Sequence, residues 1–417
     1  MAKDFSRINS KAMNKINMSK VLRLIREKGV ISIGEITRLT DLTAPSVFRL
    51  VKHLSENEGL VKFSGIGPSK GGRPPLIYEF NGSEKFIIGI DVGATYIRAV
   101  LANLNAEILY EVQLLTEKEN GYNSVISKLT DLIRRLAGRQ GINQENIIGI
   151  GIGVAGLIDK NKQLINFSPD FHWENVDFHN DLAKDLKIPV FLDNSTRLMA
   201  LGELGYGIGK NCDNFIVINV GYGIAAGIVV NGETISGCFG HSGEFGHMTI
   251  NPESEIRCDC GQKGCIEALA SGRRIAEMGQ ERARESVILN DLCNNDIKKI
   301  DAKMVAEATR LGDKVASEIL DIAIGNLCIG IRNIVNLLDP ETILIGGGVS
   351  LSGEIFFDKL AGCMEGKLMK SKADIPIQPV TFHENATIMG ALTLVLEKVL
   401  NFELNPVLKD SYLIKQA

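Results

Sequence analysis

One histidine and three cysteines close together constrain this chain more than anything else in it. From Gly240 to Ser271 it reads GHSGEFGHMTINPESEIRCDCGQKGCIEALAS, which sets His247, Cys258, Cys260 and Cys265 in the spacing H-x10-C-x-C-x4-C. One imidazole and three thiolates make a closed tetrahedral ligand set for Zn2+. A chain that uses them together must fold the whole stretch around one point. Gly261 and Gly264, inside CGQKGC, give the backbone freedom for Cys260 and Cys265 to reach the same ion. The alternatives are three buried, inert cysteines, or a disulfide with a spare thiol. A zinc-bound imidazole leaves its second nitrogen for a carboxylate, a carbonyl or a ligand oxygen. Glu244 before His247, Glu255 within the stretch and Glu267 just past Cys265 are the carboxylates that such a metal could turn toward a polyol.

GEFGH followed by CDCGQKGCIEALAS resembles the signature of the ROK family of sugar kinases, open reading frames and repressors. The resemblance runs along essentially the whole chain and is to the family's transcriptional regulators, of the xylose-repressor type. It implies an α/β body with the two-lobed actin-like (RNase H-like) ATPase fold and a structural zinc on His247, Cys258, Cys260 and Cys265. It also implies a sugar held by Asn194, Glu244, His247 and Glu267.

At 417 residues the chain exceeds one typical domain. No run of eighteen or more apolar residues occurs, and the start MAKDFSRINSKAMNK has no apolar segment behind it. Neither a membrane span nor a secretory signal is expected, and the cytoplasm is the default location. The other cysteines, at 212, 238, 293, 328 and 363, are scattered as reduced thiols would be rather than as a disulfide framework.

The net charge of −4 hides an asymmetry, since residues 1–80 carry +7 and the remainder −11. A basic head on an acidic body points to a polyanion at the head, with a solvated basic face as the bland alternative. Met13 to Glu27 has the spacing of an amphipathic helix closed by Gly29. Ser32 caps a short helix carrying Ile33, Ile36 and Leu39, and Thr40–Leu42 makes a turn. Thr43 caps a second helix with Pro45 in its first turn, on which Val47, Leu50, Val51 and Leu54 face inward. Ser46, Arg49, Lys52 and His53 are left outside. Short helix, turn and second helix make a helix-turn-helix. Two short strands around GIGPSKGGRPP add a wing, with Lys70 and Arg73 at its tip for phosphates or a minor groove. Operator DNA is the expected partner of the head, and protein contact alone is the alternative.

In the body, Phe86–Thr95 is an apolar strand running into a small turn, with Asp91 at its end, and 97–104 returns as a strand. The strand pair over 215–230 repeats that geometry around a glycine turn, as two duplicated lobes would. Further strands are expected over 147–154, 188–193, 342–346 and 377–380, and helices over 124–137, 196–204, 303–309, 314–337 and 388–399. Alternation of this kind gives sheets covered on both faces, and two lobes leave a cleft for a small ligand. The expected division is a winged head over 1–80, a small lobe over 84–193 and 386–417, and a large lobe with the zinc site over 194–385.

A ROK kinase carries its general base as the Asp of N-D-A-N ahead of A-L-G-E. Here Asn194 is followed by Ser195, and Ala200–Glu203 matches A-L-G-E. A serine hydroxyl is far too weak an acid to serve, and loss of a general base costs ~10²–10⁴-fold. Asp193, one residue before Asn194, faces the opposite side of a persisting strand from it. The second phosphate loop reads GYGIAAG, with Tyr222 where the family has a small hydroxyl residue and Ala225 in place of a glycine. No ATP binding and no catalysis are therefore expected. The reading is a DNA-binding, sugar-responsive repressor, dimeric and possibly tetrameric because two-fold symmetry suits paired half-sites. The runners-up are a repressor governed by a protein partner and an active sugar kinase.

Overall fold

The computed structural model describes residues 10–68, 74–159, 163–184, 186–368 and 375–402. Helix α1 (Ser10–Lys28) ends at Gly29, whose φ of 71° a glycine adopts without penalty. Strand β1 (Ile31–Ser32) leads into α2 (Ile33–Thr40), where Ser32 and Glu35 form a reciprocal capping box. Asp41, left-handed at φ 58°, turns the chain into α3 (Ala44–Glu56). Thr43 stands before α3 without capping it, because Pro45 has no N–H to offer there. The Thr43 hydroxyl bonds Ser46 Oγ instead (2.9 Å). Val47, Leu50, Val51 and Leu54 are buried. Strands β2 (Val61–Ile66) and β3 (Leu76–Phe80) complete the head in a sheet of order β1-β3-β2. Lys70 and Arg73 lie outside the described residues.

The body begins with β4 (Phe86–Val92), β5 (Tyr96–Asn103), β6 (Ile108–Leu115), α4 (Tyr122–Ala137) and β7 (Ile147–Val154). Three short strands, β8 (Leu157–Asp159), β9 (Leu164–Ser168) and β10 (Trp173–Val176), form a small sheet of their own. Helix α5 (Phe178–Ala183) and β11 (Val190–Asn194) close the lobe, whose main sheet has the order β11-β7-β4-β5-β6. Helix α6 (Ser195–Tyr206) crosses to β12 (Phe215–Val220), β13 (Ile224–Val230) and β14 (Glu233–Thr234). Helices α7 (Ile266–Ala270), α8 (Gly272–Arg282), α9 (Val287–Leu292), α10 (Ala302–Arg310) and α11 (Lys314–Leu338) follow. The chain then runs through β15 (Thr342–Gly346), α12 (Glu354–Met364), β16 (Ile377–Pro379) and α13 (Ala386–Leu400). The second sheet, β16-β15-β12-β13-β14, repeats the first strand for strand. In each, the leading strand pairs antiparallel with the next in sequence and parallel with the strand beyond the connection.

The two lobes meet through α6 and α13, which touch backbone to backbone. A side-chain carbon at Gly390 would lie 1.7 Å from the carbonyl oxygen of Leu198, and one at Gly202 would lie 2.8 Å from the Gly390 nitrogen. The outer side of α13 carries the head. Met18, Val21, Leu22 and Ile25 of α1 belong to one apolar cluster with Ile388, Leu392, Val395 and Val399 of α13. Around it Arg23 pairs with Glu397 and donates to Asn401 Oδ1 (3.0 Å). Arg26 donates to the Tyr206 hydroxyl (2.7 Å) and lies over that ring, 5.7 Å from its centroid. The connection at residues 81–85 is tied down too, since Asn81 is buried and its N–H donates to the Leu60 carbonyl (2.9 Å). No described helix is long and apolar enough to cross a membrane.

Candidate effector cleft and metal centre

The cysteine loop is shaped by two glycines in the left-handed region, Gly261 (φ 87°) and Gly264 (φ 69°). At Gly264 any side-chain carbon would run into the Asn251 carbonyl. Cys258 and Cys260 sit on the outgoing arm, and Cys265 is the residue before α7. His247 ends a short 3-10 turn, Phe245–His247. The four donor atoms lie within 4.8 Å of one another. Cys258 Sγ is 3.5 Å from His247 Nδ1, and Cys260 Sγ is 3.6 Å from Cys265 Sγ. A tetrahedral zinc with its usual bond lengths has S···S edges of about 3.8 Å and S···N edges of about 3.6 Å. These two edges have the length found in a zinc tetrahedron, and the remaining ones are at most 4.8 Å. Burial raises the thiol of Cys265 and pushes that of Cys258 up to about 12, so these are protonated thiols unless a cation holds them as thiolates.

His247 links this centre to the carboxylates. With Nδ1 toward Cys258, its Nε2 lies 3.7 Å from Glu244 Oε2. Burial raises the Glu244 carboxyl, and the neighbouring Glu267 adds to it. Glu267, in the first turn of α7, accepts the Ile224 N–H on Oε2 (2.8 Å), and its Oε1 is 3.9 Å from Cys258 Sγ. One of its oxygens thus anchors the turn between β12 and β13. Glu255 is exposed and paired with Lys263 (2.5 Å), away from this group. Asn194 is also committed. Its Oδ1 caps α6 by accepting from Thr196 and Arg197 N–H (2.9 and 3.1 Å), and its Nδ2 donates to the Gly156 carbonyl (2.9 Å). One amide N–H of Asn194 remains for a ligand.

Between the lobes lies a cleft of about 480 Å³. Asp91, Arg98, Asp170, Ser195, Tyr222 and Thr387 are among the residues lining it. Ser195 opens α6 there, while Asp193 is buried and bonded to Arg197 Nε (2.7 Å). Burial raises the Asp91 carboxyl against the pull of Arg98, which pairs with it at 3.2 Å and also with Glu384 at 3.6 Å. A guanidinium thus sits against the carboxyl group near the end of β4. Tyr222, 61% exposed, faces the guanidinium of Arg273 (5.7 Å to the ring centroid). Arg273 in turn pairs with Asp259 (2.5 Å), between two of the cysteines. The turn between β12 and β13 is thereby strapped to the cysteine loop.

Sequence reasoning missed Asp170. It follows Pro169 on the connection between β9 and β10, held by Lys118 donating to its carbonyl (2.8 Å). Its carboxyl faces the cleft and is raised by burial, reinforced by Glu267 and Asp259 and opposed by Lys118 and Arg273. Only the turn residues around it signalled a loop, and nothing local said where that loop would reach.

In the head, Arg49 is exposed and its guanidinium reaches only Ser46 Oγ (3.5 Å) among its hydrogen bonds. Lys52 is exposed and 3.8 Å from Glu56. His53 is half-buried and turned to Glu58 (3.2 Å), so it is displaced toward the end of the helix. Ser46 is half-buried. The residue that sequence reasoning left out is Phe48, 48% exposed on α3.

Comparison with known proteins agrees with this architecture. The ROK family model matches residues 87–398. The xylose repressor of Caldicellulosiruptor bescii is 30% identical over 94% of this chain and 98% of its own length. The NagC dual regulator of Escherichia coli is 26% identical over 94% of this chain and 95% of its own. A glucokinase of Thermotoga maritima is 32% identical, over 75% of this chain and 98% of its own length. Among solved structures, a ROK transcriptional regulator homologous to the E. coli MLC protein has the same fold over 94% of this chain and 98% of its own, with a TM-score of 0.80 at 24% identity. A ROK glucokinase of Streptomyces griseus, in complex with glucose and AMPPNP, has a TM-score of 0.68 at 26% identity over 74% of this chain and 98% of its own.

Proposed function

The chain belongs to the ROK family, and from that premise we propose that it is a sugar-responsive transcriptional repressor of carbohydrate-utilisation genes whose kinase-derived body does no catalysis. The regulators align with head and body together, while the glucokinase aligns with three quarters of the chain. Ser195 stands where a base would have to accept the sugar's proton, and Asp91 is neutralised by Arg98.

The observation that carries this reading is the course of two helices. Helix α6 starts in the cleft at Ser195 and ends at Tyr206, which Arg26 of the head grips. Helix α13 starts in the cleft at Ala386 and Thr387 and ends near Glu397, which holds Arg23. A sugar binds at the edge of the cleft, beyond its wall at Asp170, whose carboxyl feels Glu267. Glu244, His247 and Glu267, which are not among the residues lining the cleft, hold it together with the free amide N–H of Asn194. Closing the lobes on it turns α6 and α13, and the head turns with them. Only a difference in sugar affinity between the open and closed forms drives that shift.

His247, Cys258, Cys260 and Cys265 would hold a structural zinc, which supplies the charge that keeps three buried sulfurs as thiolates. Through His247 and α7 that centre fixes Glu244 and Glu267. On the DNA side, two heads of a homodimer engage paired half-sites through α3.

The test is the thermal stability of zinc-loaded protein against neutral pentoses and hexoses, their N-acetylated forms and their phosphates, followed by operator release with the same set. At ~100 Kd a bound sugar adds roughly 2.7 kcal/mol. No shift with any of them would overturn direct sugar sensing and favour a regulator governed by a protein partner.

A further inference from the structure

The outer face of α3 carries an unpartnered apolar residue where a DNA-reading helix meets base edges. With Val47, Leu50, Val51 and Leu54 in the core, the helical repeat turns Pro45, Phe48, Arg49 and Lys52 outward. All four are exposed. The first half of this face has no acidic side chain, and Arg49 makes no ion pair among the described residues, its guanidinium reaching only Ser46 Oγ. Phe48 stands beside Arg49 with nearly half of its surface in water. A single exposed aromatic is ordinary on a protein surface. One fixed next to an unpaired guanidinium, in the N-terminal half of a recognition helix within a head of charge +7 over residues 1–80, matches a surface that is anionic overall and apolar at one spot.

The floor of the major groove is such a surface. Its base edges are polar except for the thymine 5-methyl group, which apolar side chains contact, while guanine O6 and N7 take a bidentate arginine. We infer that Phe48 packs on a thymine methyl and that Arg49 reads a neighbouring guanine, so each half-site holds a thymine whose methyl group adds to affinity. This rests on the DNA-binding reading above. Phe48 adds to that reading a base identity that hydrogen-bond donors alone would not set. Cytosine and deoxyuridine in place of that thymine both lose the contact.

The experiment uses full-length, zinc-loaded protein and a duplex selected by it from a random pool, at one fixed salt concentration because phosphate contacts make affinity salt-dependent. Each thymine of a half-site is replaced in turn by deoxyuridine, which removes the methyl and keeps the pairing. Burial of one methyl group corresponds to about a fourfold change in affinity, so wild type should lose about fourfold at one or two positions. Phe48→Ala should bind the unmodified duplex more weakly and be indifferent to deoxyuridine at those positions, while Phe48→Leu keeps the sensitivity. Arg49→Ala should leave the deoxyuridine pattern in place and relax the choice of guanine. Equal deoxyuridine sensitivity in wild type and Phe48→Ala, or none in either, would overturn the assignment and leave the repressor reading standing. Failure to select any duplex would overturn the repressor reading and this inference with it.

Discussion

Replacing a helical glycine by alanine has opposite expected signs at two places in this molecule. Alanine is favoured over glycine in a helix interior by about 1 kcal/mol wherever the new methyl is free of contacts. Gly325, in α11, meets that condition, since nothing lies within 4 Å of where its side-chain carbon would stand. At Gly390 the same methyl would lie 1.7 Å from the Leu198 oxygen and 2.8 Å from its α-carbon. These are backbone atoms that cannot rotate away, so α6 and α13 must part along their contact. Overpacking costs ~1–3 kcal/mol, and a clash with backbone on both sides belongs at the upper end. Subtracting the propensity gain leaves Gly390→Ala destabilised by about 2 kcal/mol, against a gain of up to about 1 kcal/mol for Gly325→Ala. At roughly 2–4 °C per kcal/mol for a large domain, the first should melt roughly 4–8 °C lower than wild type and the second slightly higher. Calorimetric or circular-dichroism melting of zinc-loaded samples measures both. A Gly390→Ala protein that melts at or above the wild-type temperature would refute the backbone contact, and with it the idea that the two helices turn as one body.

The link between body and head is tested by Arg26→Ala, which removes a hydrogen bond and a ring contact worth about 1 kcal/mol together. Operator affinity without sugar should hold while the sugar-induced weakening falls roughly fivefold, read by fluorescence anisotropy; an unchanged sugar effect would count against α6 as the route. Chelating the metal should return Cys258, pushed up to about 12, to a protonated thiol, lower the melting temperature and abolish the stabilisation by sugar, which paired melts with and without chelator will show. Asp170→Asn concerns a carboxyl raised above its ordinary 3.8 by burial. A raised carboxyl favours the fold only below its ordinary value and loses that contribution as pH rises through the folded one, so the Asn variant should be the more stable at pH 7. That advantage should close as pH falls toward 3.8; a pH-independent difference would refute it. Ser195→Asp should yield no ADP from ATP and sugar in a coupled assay, because Arg98 still occupies Asp91 and Tyr222 still fills the second turn; measurable turnover would show that the serine alone silences the site.

Much of the head and of the duplicated sheets was legible because local patterns dictate them. Ser32 announces a helix N-cap, the spacing of Val47, Leu50, Val51 and Leu54 fixes the inner face of α3, and β4 and β12 read as continuous apolar runs. Strand β6 was not legible. It lies at a sheet edge, where even the alternating apolar residues Tyr110, Val112 and Leu114 are only half-buried, and Glu111 and Gln113 break the continuous apolar run that marks β4 and β12. The sheet of β8, β9 and β10 was missed because its strands of three to five residues are too short to show a period. That His247, Cys258, Cys260 and Cys265 come together was plain from spacing, yet Asn194 illustrates the limit of reading a site residue by residue. Its amide is one group serving as helix cap and as tether to Gly156, and only the folded chain shows how little of it is left over. Arg98 and Asp170 reach the cleft by long-range topology, which no window of sequence contains.

The apolar cluster that α1 shares with α13, together with the anchored connection at residues 81–85, leaves the head no slack against the body. A DNA-binding module on a loose linker would absorb any change in the body as slack. Here the head packs along the helix that begins in the cleft, so on the proposed reading α13 acts as a stiff lever arm. Over the fifteen residues of α13, roughly 22 Å at 1.5 Å per residue, a turn of about 5° at the cleft displaces the far end by ~2 Å. On the proposed reading, in which α3 sits in a DNA groove, a shift of that size on closure around a sugar is enough to unseat it.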